Sequence, residues 1–203
     1  MSTWRSGLTT WSGPAWCRQS SAAAGSSRPM HTSSMPKMSE GRTVVLGLGN
    51  PLMGDDGLGL AALERLREQW EIPGVELVDG GTWGMNLLPL VEESTHLILL
   101  DAIRSGDAPG TLVEWERDRL PRYLSLKLSP HQIDLREILA LAEWRDTMPE
   151  EIVAVGLAPR DVVMTTSLSP EVDSGLDKVV EAALRYLAWW GYRAERKAAY
   201  AHA

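Results

Sequence analysis

Four short apolar runs, each leading into a turn and then toward helical spacing, constrain this chain more than any other feature. TVVLGLG (43–49), VELVDG (75–80), HLILLDA (96–102) and EIVAVGL (151–157) are mostly apolar on both faces, as strands of a sheet covered on both sides must be. Between and after them lie helical periodicities. Leu60, Leu63, Leu66 and Trp70 share one helical face, and Leu135, Ile138, Leu139 and Ala142 another, which Asp134 and Glu137 open as a capping box. The most regular stripe is Leu176, Val179, Val180, Ala183, Leu184 and Leu187, entered through Ser169-Pro170 and closed near Gly191. TLVEWER (111–117) alternates and follows DAPG with no room for a crossover helix, so it reads as an antiparallel edge strand. The expected fold is α/β: a three-layer sandwich with a mostly parallel five-stranded sheet, one strand antiparallel, and helices on both faces.

At 203 residues the chain is long enough for one ordinary domain, expected over residues 42–192. Residues 1–41 are crowded with Ser, Ala, Thr and Pro and lack apolar periodicity, so they read as a disordered low-complexity extension. Their Arg- and Ser-rich, acid-poor character is that of a transit peptide, but they form no clear amphipathic helix. A floppy extension, or an upstream start ahead of Met30, Met35 or Met38, is the plainer reading. RAERKAAYAHA (193–203) reads as a flexible, frayed end. The balance of 20 Lys plus Arg against 27 Asp plus Glu, without a dense basic stripe, argues against nucleic acid and anionic membrane as partners. The single cysteine, Cys17, lies in the N-terminal extension, which excludes an internal disulfide, a Cys-rich zinc site and a thiol nucleophile in the domain. No apolar stretch reaches the roughly 20 residues needed to span a bilayer, and a reducing cytoplasm is the expected location.

Ligands of such sheets bind outside the carboxyl ends of the strands. There the chain places Asp55 and Asp56 after the first strand, Asp79 after the second and Asp101 at the end of LILL, with His131 of LSPHQ on a loop that can reach the same edge. GLGNPLMGDDGLG competes as a dinucleotide-binding turn with Asp79 holding the ribose, as in an oxidoreductase. Its spacing is G-x-G-x-x-x-x-G, Asn50-Pro51 interrupts the tight turn, and two aspartates precede the helix where a pyrophosphate would need positive neighbours. The turn therefore suits a positive ligand, or a carboxylate that caps the helix. Singly, Asp101 reads as a strand-end charge and His131 as a hydrogen-bonded structural residue. Together the acids and the imidazole suit a borderline divalent metal. Trp83, inside DGGTWGM, either flanks the site or anchors the next helix.

The motifs VVLGLGNPLMGDDGLGLAALERL, ELVDGGTWGMNLLPL, HLILLDAI, DAPGTL, SPHQIDLREIL, VGLAP and LSPEV, in this order between about residues 43 and 190, resemble the hydrogenase maturation endopeptidases. The resemblance implies nickel-recognising residues that map onto Asp56, Asp101 and His131, with Asp55 as a neighbouring acid and Gly80-Gly81-Thr82 as the glycine-rich loop. It also implies that the enzyme removes a short C-terminal peptide from the large-subunit precursor of a [NiFe] hydrogenase, only after nickel insertion. The nickel would be carried by that precursor rather than by a resident site, and a monomer is expected. The same three residues would equally serve a maturation chaperone that senses nickel without cutting. The N-terminal extension departs from the family pattern.

Overall fold

In the computed structural model, residues 41–120 and 135–198 are described here, all within one unit that runs from Pro36 to Ala203. The runs picked out by their double-faced apolarity are strands: β1 (Arg42–Leu48), β3 (Val75–Gly81), β4 (Ser94–Ala102) and β6 (Glu151–Leu157). They form one sheet with β5 (Leu112–Glu116) in the order β3-β1-β4-β6-β5. The β1–β3, β1–β4 and β4–β6 pairs are parallel, and β5 runs antiparallel to β6 at the edge, as its alternation and short connection require. Five strands, one of them reversed, is the expected sheet.

Alternate residues of each central strand feed two separate cores. On one face Val45, Ile98, Leu100, Val153, Val155 and Leu157 meet α1 (Leu58–Gln69) and α5 (Leu176–Trp189). On the other, Val44, Leu46, Leu97, Leu99, Ile152 and Ala154 meet α2 (Leu88–Glu93) and α3 (Leu135–Trp144). The period of two in strands makes this division inevitable once both faces are covered. The expected α5 stripe is buried through Leu176, Val179, Val180, Ala183 and Leu187. The helix ends at Gly191 (φ 91°), where the N–H groups of Gly191 and Tyr192 donate to the carbonyls of Ala188 and Leu187, the paired closure that a left-handed glycine permits. Ser169-Pro170 opens a separate turn, α4 (Pro170–Asp173), rather than α5 itself.

Two expectations are corrected. Trp70 does not continue the α1 face; with Glu71 it forms the short strand β2. Its antiparallel partner is β7 (Glu195–Arg196), inside the stretch expected to be a frayed helical tail. The Arg196 guanidinium lies 5.9 Å from the centre of the Trp70 ring, and the Lys197 N–H donates to the Gln69 carbonyl at 2.8 Å. Composition favoured a tail, but one aromatic face and two pairs of backbone groups at the end of α1 are enough to seat this segment. The Asp134 cap and residues 1–40 lie outside the described residues.

The winding reverses at β1. From β1 the chain passes through α1 to β3 on one side, then returns through α2 on the other face to β4 on the far side of β1. Right-handed crossovers require the two helices to lie on opposite faces. The crevice between the carboxyl ends of β1 and β4 is therefore the switch point where ligands bind in such sheets.

Candidate active site

β1 and β4 are in register with Gly47 opposite Leu100, so Leu48 and Asp101 end neighbouring strands. Asp101 is fully buried, and its Oδ1 accepts the Ala102 N–H at 2.8 Å. Beyond β1 the chain turns through Gly49 (φ 111°), whose N–H donates to the Gly81 carbonyl at 3.1 Å and so ties this loop to the end of β3. A Cβ at Gly49 would overlap the Asp56 carbonyl oxygen, and one at Gly59 would overlap the carbonyls of Leu48 and Leu100. These glycines let the start of α1 sit directly on the two strand ends. The turn that carries Asp56 is thereby pressed against the strand end that carries Asp101.

The two adjacent aspartates do different work. Asp55 is buried at 1% exposure, and its carboxylate takes four hydrogen bonds. These come from the Ser169 N–H (2.7 Å), the Arg160 N–H (2.8 Å), the Ser169 hydroxyl (2.9 Å) and the Asp161 N–H (3.2 Å). Burial alone would raise its pKa; the donated hydrogen bonds from Ser169, Arg160 and Asp161 outweigh it and hold the carboxyl below its ordinary value. Asp56 is half-buried, and its Oδ2 accepts the Asn50 N–H at 2.8 Å. Of the two roles open to this pair, Asp55 takes neither: its charge is spent on the residues 160–169 rather than on a ligand or on a cap of α1. Asp56 remains the acid of this turn at the switch point.

The same bond speaks against a dinucleotide. The Asn50 amide, in the turn that would cradle a pyrophosphate, is already taken by a carboxylate. Asp79 is exposed beside Gly81 and belongs to the rim of this edge. Trp83 is 57% exposed and so is no anchor for α2. His131 lies outside the described residues, and among the described residues no group of three or more His, Cys, Asp or Glu side chains is arranged to hold a metal ion. Sequence reading missed the segment from Arg160 to Ser169 as a partner of Asp55. The motifs VGLAP and LSPEV mark its two ends, but nothing local links them to an acid more than a hundred residues earlier.

Fold and site define the class: an α/β protein with an acid-lined switch point rather than a nucleotide cradle. The family model described as hydrogenase maturation protease matches residues 60–186, starting just after Asp56 and spanning Asp101 and His131. The hydrogenase expression/formation protein HupD of Rhodobacter capsulatus is 37% identical over 160 residues, covering 77% of this chain and 76% of its own. The hydrogenase 2 maturation protease of Escherichia coli is 34% identical over 155 residues, covering 75% of this chain and 94% of its own. Among solved structures, the hydrogenase maturating endopeptidase HybD from E. coli superimposes with a TM-score of 0.74 at 33% identity, over 78% of this chain and 99% of its own. The chain belongs to the hydrogenase maturation protease family and is a peptidase.

Proposed function

We propose that this protein is the endopeptidase that removes a C-terminal peptide from the nickel-loaded large-subunit precursor of a [NiFe] hydrogenase, with the precursor's nickel as its recognition element. The observation that carries the proposal is the division of labour at the switch point. Asp55 is sequestered, while Asp56 stands on the turn that follows β1 and Asp101 near the end of β4, in a fold shared with a named hydrogenase maturating endopeptidase. Asp56, Asp101 and His131 are assigned to the nickel: two carboxylates supply charge, and the imidazole suits a borderline metal. Holding that nickel fixes the adjoining polypeptide, so the scissile amide is presented in one geometry. Water adds across the amide, leaving a new carboxylate on the subunit and a new amine on the released peptide. A carboxylate at the site or the substrate's metal assists removal of the water proton. Processing is assigned to the cytoplasm, where the described residues contain no helix long and apolar enough to cross a membrane, and to a monomer.

Intact mass of the precursor tests this. Incubation with the protein is expected to give a single C-terminal loss with the nickel-loaded precursor and none with the nickel-free form. A mass that stays unchanged while a nickel-dependent complex forms would replace the endopeptidase by a nickel-sensing chaperone. His131→Ala and Asp56→Asn are each expected to slow processing by about a hundredfold or more with an unchanged circular dichroism spectrum. Full activity of either variant removes that residue from the site.

A further inference from the structure

The residues that Asp55 holds point to a substrate-gripping element. Arg160 and Asp161 at one end of the 160–169 loop, and Ser169 at the other, all donate to the single Asp55 carboxylate. In its middle, the Gly54 N–H donates to the Thr165 carbonyl (2.8 Å) and the Thr165 N–H to the Leu52 carbonyl (3.1 Å), forming an isolated parallel bridge between Met53 and Thr165. The loop is therefore fastened at both ends and at its centre to the turn that carries Asp56. Yet the side chains it presents at the tip are largely exposed: Val163 is 54% and Met164 88% exposed, next to Leu52 at 60%. Of the large apolar side chains exposed among the described residues, these three and Trp83 stand on loops at the carboxyl edge of the sheet, apart from Trp144 and Trp189 at helix ends. Single exposed apolar residues are unremarkable, but a cluster on a loop tied to the site is the pattern of a binding surface. Just past the bridge, Thr166, Ser167 and Leu168 form one wall of an open groove of about 710 Å³ whose other wall is α1, at Ala61, Glu64 and Arg65.

We infer that the 160–169 loop, latched by Asp55 to the turn bearing Asp56, is a specificity element that grips the extended C-terminal segment of the precursor through Val163 and Met164, with Leu52 completing the rim. The occupant follows from continuity. A polypeptide cut beside Asp56 extends about 3.3 Å per residue from the scissile bond, so a few residues of it suffice to reach this rim, which is bonded to the same turn. The rim selects apolar side chains in that segment. Asp55 is here a positioning residue, acting through the loop rather than on the substrate. The inference rests on the proposed processing of a hydrogenase precursor.

The test measures two quantities with nickel-loaded [NiFe] hydrogenase large-subunit precursor of the organism that encodes this chain: the Kd for the precursor and its cleavage followed by intact mass. The Val163→Ser/Met164→Ser double variant changes only exposed side chains, and Trp144→Ser serves as an exposed control far from this loop. The double variant is expected to raise Kd and KM about tenfold, with kcat within about twofold and the control unchanged. Unchanged affinity in the double variant, or an equal loss in the control, overturns the inference. If wild-type protein binds but does not cut, while the double variant binds weakly, the rim stands and the endopeptidase reading falls. Wild-type protein that neither binds nor cuts overturns both.

Discussion

Replacing Asp55 by asparagine keeps the side-chain shape but turns an acceptor of four hydrogen bonds into a group that must itself donate toward several donors. Buried donors without acceptors cost about 1–3 kcal/mol each, so a loss of about 3 kcal/mol at pH 7 is expected in urea unfolding. The pH dependence has a defined sign. The folded-state pKa of Asp55 lies below its ordinary value of 3.8, so the stabilisation is present above about pH 4 and lost as pH falls through the depressed pKa. The asparagine variant lacks this slope, and midpoints measured at neutral and acid pH compare the two directly. Parallel pH profiles would deny Asp55 its role. Gly49→Ala acts on its neighbour instead. At φ 111° and with its Cβ overlapping the Asp56 carbonyl, alanine forces the turn to move, and processing is expected to fall about a hundredfold without global unfolding, as read by circular dichroism.

At the scale of elements, the strands and the α5 stripe were legible because burial on both faces leaves a period that survives in the sequence: Val44 and Leu46 face one core, Val45 the other. Leu187→Ala opens a cavity under α5, where the side chain is 1% exposed, and is expected to cost about 2–4 kcal/mol in chemical denaturation. β2 and β7 were illegible. Two-residue strands carry no periodicity, and their pairing joins the end of α1 to a charged, alanine-rich stretch that local propensity assigns to a tail. Truncation after Tyr192 removes that pairing, the ring contact of Arg196 with Trp70 and the Lys197 bonds to α1. A loss of about 1–2 kcal/mol is expected, and an unchanged melting temperature would restore the view of 193–203 as a mere tail.

For the whole molecule, the sheet and both cores lie within residues 42–187, inside the unit that begins at Pro36. The surface ion pairs, such as Arg42 with Glu76 and Glu93, are exposed enough to add little, so stability should respond weakly to salt. By itself the sequence determined the layer architecture, the reversed edge strand and the positions of the acids at strand ends, because double-faced apolar runs and turn chemistry are local properties. It also carried the family motifs. Only the tertiary structure decided which of two adjacent aspartates faces inward. The donors that claim Asp55 stand 105 to 114 residues away, brought near by the crossing of β6 and the fastening of its following loop. No local pattern around Asp55-Asp56 encodes that distance; it exists only once the sheet has been assembled.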